Sequence, residues 1–172
     1  KLLKFNSVLH VLSYAQHRPS YIRPYLPEGP CHMRQNLPVT SHERTFPAGQ
    51  KLISTTDLKG TITYANDAFV AISGFSREEL VGQHHNIVRH PDMPPAAFKT
   101  MWQYLQQGKP WMGLVKNRCK NGDFYWVHAY VTPISELGKV VGYESVRVAP
   151  DRQLVQHAST LYGQINAGKT PQ

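Results

Sequence analysis

The sequence predicts an α+β fold: a five-stranded antiparallel sheet with short helices folded across one face, enclosing a ligand cavity. Three observations carry that expectation. Patterned segments run in the order two strands, several short helices, one longer helix, three strands and a final helix. Turn signals at Lys59-Gly60 and Asn121-Gly122 stand between segments with strand character, as hairpins require. The longer helix carries Phe98, Met101, Trp102 and Leu105 at i, i+3, i+4 and i+7, one apolar stripe suited to covering a sheet face.

Residues 1–32 differ in character from the rest of the chain. Leu2, Leu3, Phe5, Val8, Leu9, Val11 and Leu12 suit a short amphipathic helix up to Ala15, after which Pro19, Pro24, Pro27 and Pro30 exclude regular helix. His32-Met33 reads as the junction between an added leader and a natural start, and residues 33–50 as a polar, irregular N-terminal arm. Within a domain at 51–149, Ile53–Asp57 and Thr61–Tyr64 form the first hairpin. Asn66 caps a helix bearing Phe69, Val70 and Ile72 that ends at Gly74. Ser76-Arg77-Glu78-Glu79 is a capping box for a single-turn helix closed by Gly82. The longer helix occupies Pro94–Gln107. Trp111–Lys120 alternates, with Trp111, Gly113, Val115, Asn117 and Cys119 on one face and Met112, Leu114, Lys116, Arg118 and Lys120 on a wetter one. Asp123–Ile134 and Gly138–Val148 complete the sheet. Pro150 punctuates, and residues 150–172 hold an exit helix, Gln153–Ala167, leaving the domain.

Composition bounds the function. The 172 residues include 41% hydrophobic ones, enough for a real core, and carry a formal charge of +8. Lys1, Lys4, Arg18 and Arg23 against Glu28 alone place much of that charge in residues 1–32, so the remainder is moderately basic and gives no nucleic-acid footprint. No apolar run reaches the length of a membrane span. Cys31 and Cys119 form neither a CxxC nor a disulfide framework, which fits a reducing cytoplasm. Gly-rich phosphate loop, nucleophile elbow and paired acid–base motif are all missing, so the expectation is a non-enzyme.

The chain is organised around His84–Pro95. Three histidines, Arg89 and Asp92 fall within nine positions, and Pro91, Pro94 and Pro95 impose a bend followed by a helix start. Each residue alone reads as a solvated connection or a cap; together, between two amphipathic segments, they point to a polar ligand site. Zinc is disfavoured by the absence of paired His/Cys spacing.

Leu52–Asp57, Tyr64-Ala65-Asn66-Asp67 and Ser73-Gly74-Phe75 resemble the opening half of a PAS domain. The strings His85–Pro94, Trp111–Arg118 and Asn121–Trp126 are narrower and resemble the sensory domain of bacterial aerotaxis receptors, over roughly residues 33 to 169. That resemblance implies a PAS fold and a non-covalently bound FAD. It further implies a redox or oxygen sensor for energy taxis, a HAMP-type signalling domain as partner, a possible homodimer, and a cytoplasmic domain of a receptor anchored to the inner membrane. It implies no nucleic-acid partner and no membrane contact by this segment.

By the same resemblance the flavin site maps onto Asn66, Arg89, His90, Asp92, Phe98, Trp102, Trp111 and Asn117. Arg89 offers a forked cation to a pyrophosphate or flavin carbonyl, with a surface pair to Asp92 as the competing role. His90 suits a phosphate or ribose; Asp92 orders Arg89 or caps the next helix. Asn117 faces the apolar side of its strand, where an unpaired carboxamide is costly, and its donor and acceptor match a pyrimidine edge. Asn66 competes as a helix cap, and the aromatics compete as core. A haem-binding PAS gas sensor, through a helical histidine, and a ligand-free PAS interaction module are the alternative readings.

Overall fold

The computed structural model describes residues 36–169. The leader and its amphipathic helix lie outside the described residues. Strands β1 (Leu52–Asp57) and β2 (Ile62–Ala65) open the domain, and β3 (Trp111–Arg118), β4 (Phe124–Glu136) and β5 (Lys139–Val148) close it. Every neighbouring pair is antiparallel and the order is β2-β1-β5-β4-β3, so the first and last strands meet in the middle of the sheet. The five-stranded antiparallel sheet expected from sequence is therefore observed.

Local chemistry sets the helices. In α1 (Asp67–Ser73) the Asn66 side chain accepts the N–H of Phe69, and α2 (Arg77–Leu80) has the full Ser76/Glu79 capping box. A single 3-10 turn (His85–Val88) follows, then α3 (Pro95–Gln106), whose first turn holds Pro95, where a missing N–H costs no helical bond. The core lies between these helices and the sheet, with Phe69, Leu80, Met93, Leu105 and Val127 buried in it.

Two hairpins share one turn design. Gly60 N–H donates to Asp57 O at 3.1 Å, Gly122 N–H donates to Cys119 O at 3.0 Å, and both glycines have positive φ, 84° and 99°. The second turn thus centres on Lys120-Asn121, one residue earlier than the Asn121-Gly122 signal suggested; Gly122 supplies the left-handed residue at its end. Leu137-Gly138, both at positive φ, makes the two-residue turn between β4 and β5; β4 runs on to Glu136, past the expected end at Ile134.

The outer face differs most from expectation. Helix α4 (Arg152–Asn166) does not leave the domain but folds back on the sheet, burying Val155, Ala158, Leu161 and Tyr162. The Tyr162 hydroxyl donates to Leu114 O at 2.8 Å, and its ring stacks on Trp126. Leu114 and Arg118, placed on the wetter face by alternation, are both buried. Arg118 donates from Nε to Pro38 O at 2.7 Å, so the N-terminal arm covers it. Only Met112 and Lys120 on that face are exposed as expected. The arm is pinned at its other end by the Glu43–Arg152 ion pair, with contacts of 2.6 and 2.9 Å.

Residues 82–90 connect the two edges of the sheet. Near β2, Ile62 N–H donates to Gln83 O, Gly82 N–H to Ile62 O, and His85 N–H to Gly60 O. Near β3, Arg89 forms an antiparallel bridge with Asn117. The segment named from sequence as the organising stretch thus runs from one edge to the other, over the mouth of a cavity.

Candidate functional site

The cavity lies between the inner sheet face, the 3-10 turn and α3, with about 780 Å³ of empty space including its open mouth. The whole stripe of α3, Phe98, Met101, Trp102 and Leu105, faces it. Trp111, Val115 and Asn117 of β3 line its floor with Ala129 and Val131 of β4, and Tyr143, Ser145 and Arg147 of β5.

Five of the eight residues singled out from sequence meet here: Arg89, Phe98, Trp102, Trp111 and Asn117. The Arg89 guanidinium lies 3.7 Å from the centre of the Phe98 ring, fixing both at the mouth. Trp102 meets Tyr143 edge-on, 5.5 Å between ring centres. Asn117 is buried on the floor.

The other three stand outside the cavity. Asn66 accepts from the N–H groups of Ile53 and Phe69, each at 3.0 Å, and donates to Lys51 O, so its carboxamide serves as cap and strand tie. His90 is buried beyond the edge of β3; its Nδ1 accepts the Asp92 N–H at 3.1 Å and its ring packs edge-on to Phe124. Asp92 pairs with Lys116 at 2.6 Å, not with Arg89. Burial, and then the charge of Lys116, pushes His90 down to about 4.

The deepest polar cluster was not expected. Ser54, His85 and Arg147 come together on the floor, Arg147 being 2% exposed. Arg147 donates to Ser54 Oγ; its Nη1 lies 3.3 Å from His85 Nε2, and Ser54 Oγ lies 3.1 Å from the same nitrogen. Phe69 packs against both partners, parallel to the His85 ring and 4.3 Å from the guanidinium carbon. Burial first, and the Arg147 charge second, pushes His85 down to about 3, while burial lowers Arg147 to about 10. Arg147 Nε has no hydrogen-bond partner. A signal for this cluster exists in β5, where Tyr143, Ser145 and Arg147 alternate with Glu144, Val146 and Val148; the inward set includes an arginine, as β3 includes Asn117.

The three histidines of the organising stretch do not converge. His84 lines the mouth, His85 the floor, and His90 neither. Among the described residues no three His, Cys, Asp or Glu side chains gather to hold a metal ion. Cys119 is buried outside the cavity, donating to Ile72 O at 3.2 Å. No helix among the described residues is long and apolar enough to cross a membrane.

Comparisons agree with this architecture. The chain is 49% identical over 132 residues to the aerotaxis receptor of Escherichia coli (strain K12), covering 77% of this chain and 26% of the receptor. It is 37% identical over 82 residues to the nitrogen fixation regulatory protein of Klebsiella pneumoniae, covering 48% of this chain and 17% of that protein. It therefore spans about a quarter or less of these relatives' length. Among solved structures, the light-state LOV domain of the blue-light photoreceptor Aureochrome1 superposes with a TM-score of 0.58 at 20% identity, over 64% of this chain and 92% of that one. At that identity the likeness concerns the fold alone. The PAS fold model matches residues 62–147, from β2 to the penultimate residue of β5, a span that holds most of the cavity lining; the chain belongs to the PAS fold family.

Proposed function

We propose that this chain is the sensory region of a redox-taxis receptor, holding the ring of a non-covalently bound FAD in its cavity. The observation that carries the reading is Arg147, a buried cation on the floor with no carboxylate among its contacts. An uncompensated buried charge is expensive, by several kcal/mol, so the site favours a ligand able to bring negative charge to it. A bound flavin would supply reversible electron uptake, and Arg147 would stand ready to balance negative charge on its ring.

The other lining residues suit such a ligand. Phe98, Trp102, Trp111 and Tyr143 form aromatic walls, and Asn117 offers a paired donor and acceptor to the polar edge of a ring. His85, neutral and wedged between Phe69 and Arg147, accepts hydrogen bonds and adds no second charge. Arg89 at the mouth suits a pyrophosphate, which favours FAD over a mononucleotide. The 49% identity to an aerotaxis receptor supports a sensor that turns over no substrate. In this reading the partner is a HAMP-type signalling domain of the same receptor, the assembly is a homodimer, and the domain is cytoplasmic. Asn66, His90 and Asp92, each engaged elsewhere, act as supports of the site's frame.

Purified protein is expected to be yellow and to release FAD on denaturation. Release of FMN, a haem Soret band, or a colourless protein that binds no added flavin would each sink the reading.

A further inference from the structure

Gly113 lies on the inner face of β3, two residues from Trp111 and opposite Ala129 of β4. A side chain has no room there. A Cβ added at Gly113 would stand 2.4 Å from both Cη2 and Cζ2 of the Trp111 indole. The indole therefore lies flat along the strand in the place a side chain would take. Trp111 is only 4% exposed and lines the cavity, so its ring forms part of the floor.

We propose that Gly113 is a positioning residue that sets the depth of the cavity through Trp111. With hydrogen at position 113 the indole stays down on the strand, and the space above Ala129 and Val131 remains open for a planar ring. With a methyl there, the backbone of β3 cannot yield, because it is paired along its length to β4. The indole must instead rise, and the direction open to it is the cavity. Gly113 thus excludes no ligand directly; it keeps a large aromatic side chain out of the ligand's volume. The proposal rests on the flavin reading for the ligand it names, but the movement of Trp111 is independent of it.

The test uses the full chain with Gly113→Ala, Trp111→Phe and the double variant. FAD affinity is measured by titration of the flavin-free protein, and ring position by 19F NMR with 6-fluorotryptophan, whose fluorine sits on Cη2. The chain has three tryptophans, so the Trp111 signal is assigned by its loss in Trp111→Phe. Overpacking of this kind predicts FAD binding weaker by about tenfold to a hundredfold in Gly113→Ala. The Trp111 resonance should shift while that of Trp126 stays, and Gly113→Ala should cost little or no further affinity when added to Trp111→Phe. Unchanged FAD affinity, or an unshifted Trp111 signal, overturns the proposal. So does an equal loss of affinity when Gly113→Ala is added to Trp111→Phe, which would make Gly113 a backbone requirement alone. If the wild-type chain binds no FAD, the flavin reading falls, and the 19F shift still decides whether Gly113 holds Trp111 down.

Discussion

Nη1 of Arg147 lies 3.3 Å from Nε2 of His85. A guanidinium can only donate, so that imidazole nitrogen is an acceptor and the ring is neutral with its proton on Nδ1. Ser54, which takes a hydrogen bond from Arg147, can then pass its own hydroxyl proton toward the same nitrogen. The cavity floor holds one fixed positive charge.

Arg147→Met tests whether that charge serves a ligand or the fold. A buried charge carries a desolvation cost, and even a buried ion pair can be replaced by apolar side chains of similar volume with a neutral or stabilising effect of about 1–4 kcal/mol. The expected result is a flavin-free protein that melts no lower than wild type and binds FAD at least about tenfold more weakly. Thermal melts and titrations check both. A large loss of stability with flavin affinity intact would assign Arg147 to folding.

Acid should destabilise the domain through two histidines. Both are held below the ordinary value of about 6.5, His85 at about 3 and His90 at about 4, so between pH 6.5 and those values the unfolded chain binds protons that the folded one refuses. Their contribution is fully present above pH 6.5 and is lost as pH falls, with a slope of up to about 1.4 kcal/mol per pH unit for each. Urea unfolding from pH 7 to 4 measures it, and His90→Asn should flatten the curve. A profile unaltered in that variant would place the proton uptake elsewhere.

Tyr162→Phe removes the hydrogen bond to Leu114 O but keeps the ring stacked on Trp126. A loss of about 0.5–1.5 kcal/mol is expected, with faster amide exchange in α4. Exchange unchanged in α4 would mean that its docking depends on apolar contacts alone.

Blue light should produce no flavin–thiol bond. Cys119 is buried away from the cavity lining, its Sγ turned to Ile72 O, and burial raises its pKa, which disfavours the thiolate. Reduction should bleach the flavin and air restore it, identically in Cys119→Ala. A photoproduct lost in that variant would refute this placement.

What was legible in the sequence was local. Asn66 and the Ser76/Glu79 box announce helix starts because capping is decided within a few residues, and the stripe of α3 announces which side meets the sheet. The fate of α4 was not legible. Its amphipathic face says that it packs on something, and only the tertiary structure supplies Trp126 and Leu114 as the surface. The same limit hid the Ser54–His85–Arg147 cluster, whose members come from β1, the 3-10 turn and β5. Leu114 and Arg118 are buried against expectation because alternation separates two faces of a strand without saying that both will be covered. Of the residues that the family resemblance names, Arg89, Phe98, Trp102, Trp111 and Asn117 line the cavity, the last four from inward positions that the helix stripe and the strand alternation already mark. His90 and Asp92 were grouped with Arg89 by proximity in sequence, which the bend at Pro91 undoes.

The stretch from Gly82 to His90 also governs how this molecule can meet another. An unpaired strand invites a foreign strand to extend the sheet, the usual route to fibrous aggregation. Here backbone groups of Ile62 on the first edge bond Gly82 and Gln83, while on the other edge Lys116 O is approached by His90 N–H and Leu114 O is taken by Tyr162. Strand addition is pre-empted at these positions by the chain's own residues. Any assembly formed there must be built from side chains on faces and helices, so its specificity is written in surface chemistry and not in a shared backbone ladder.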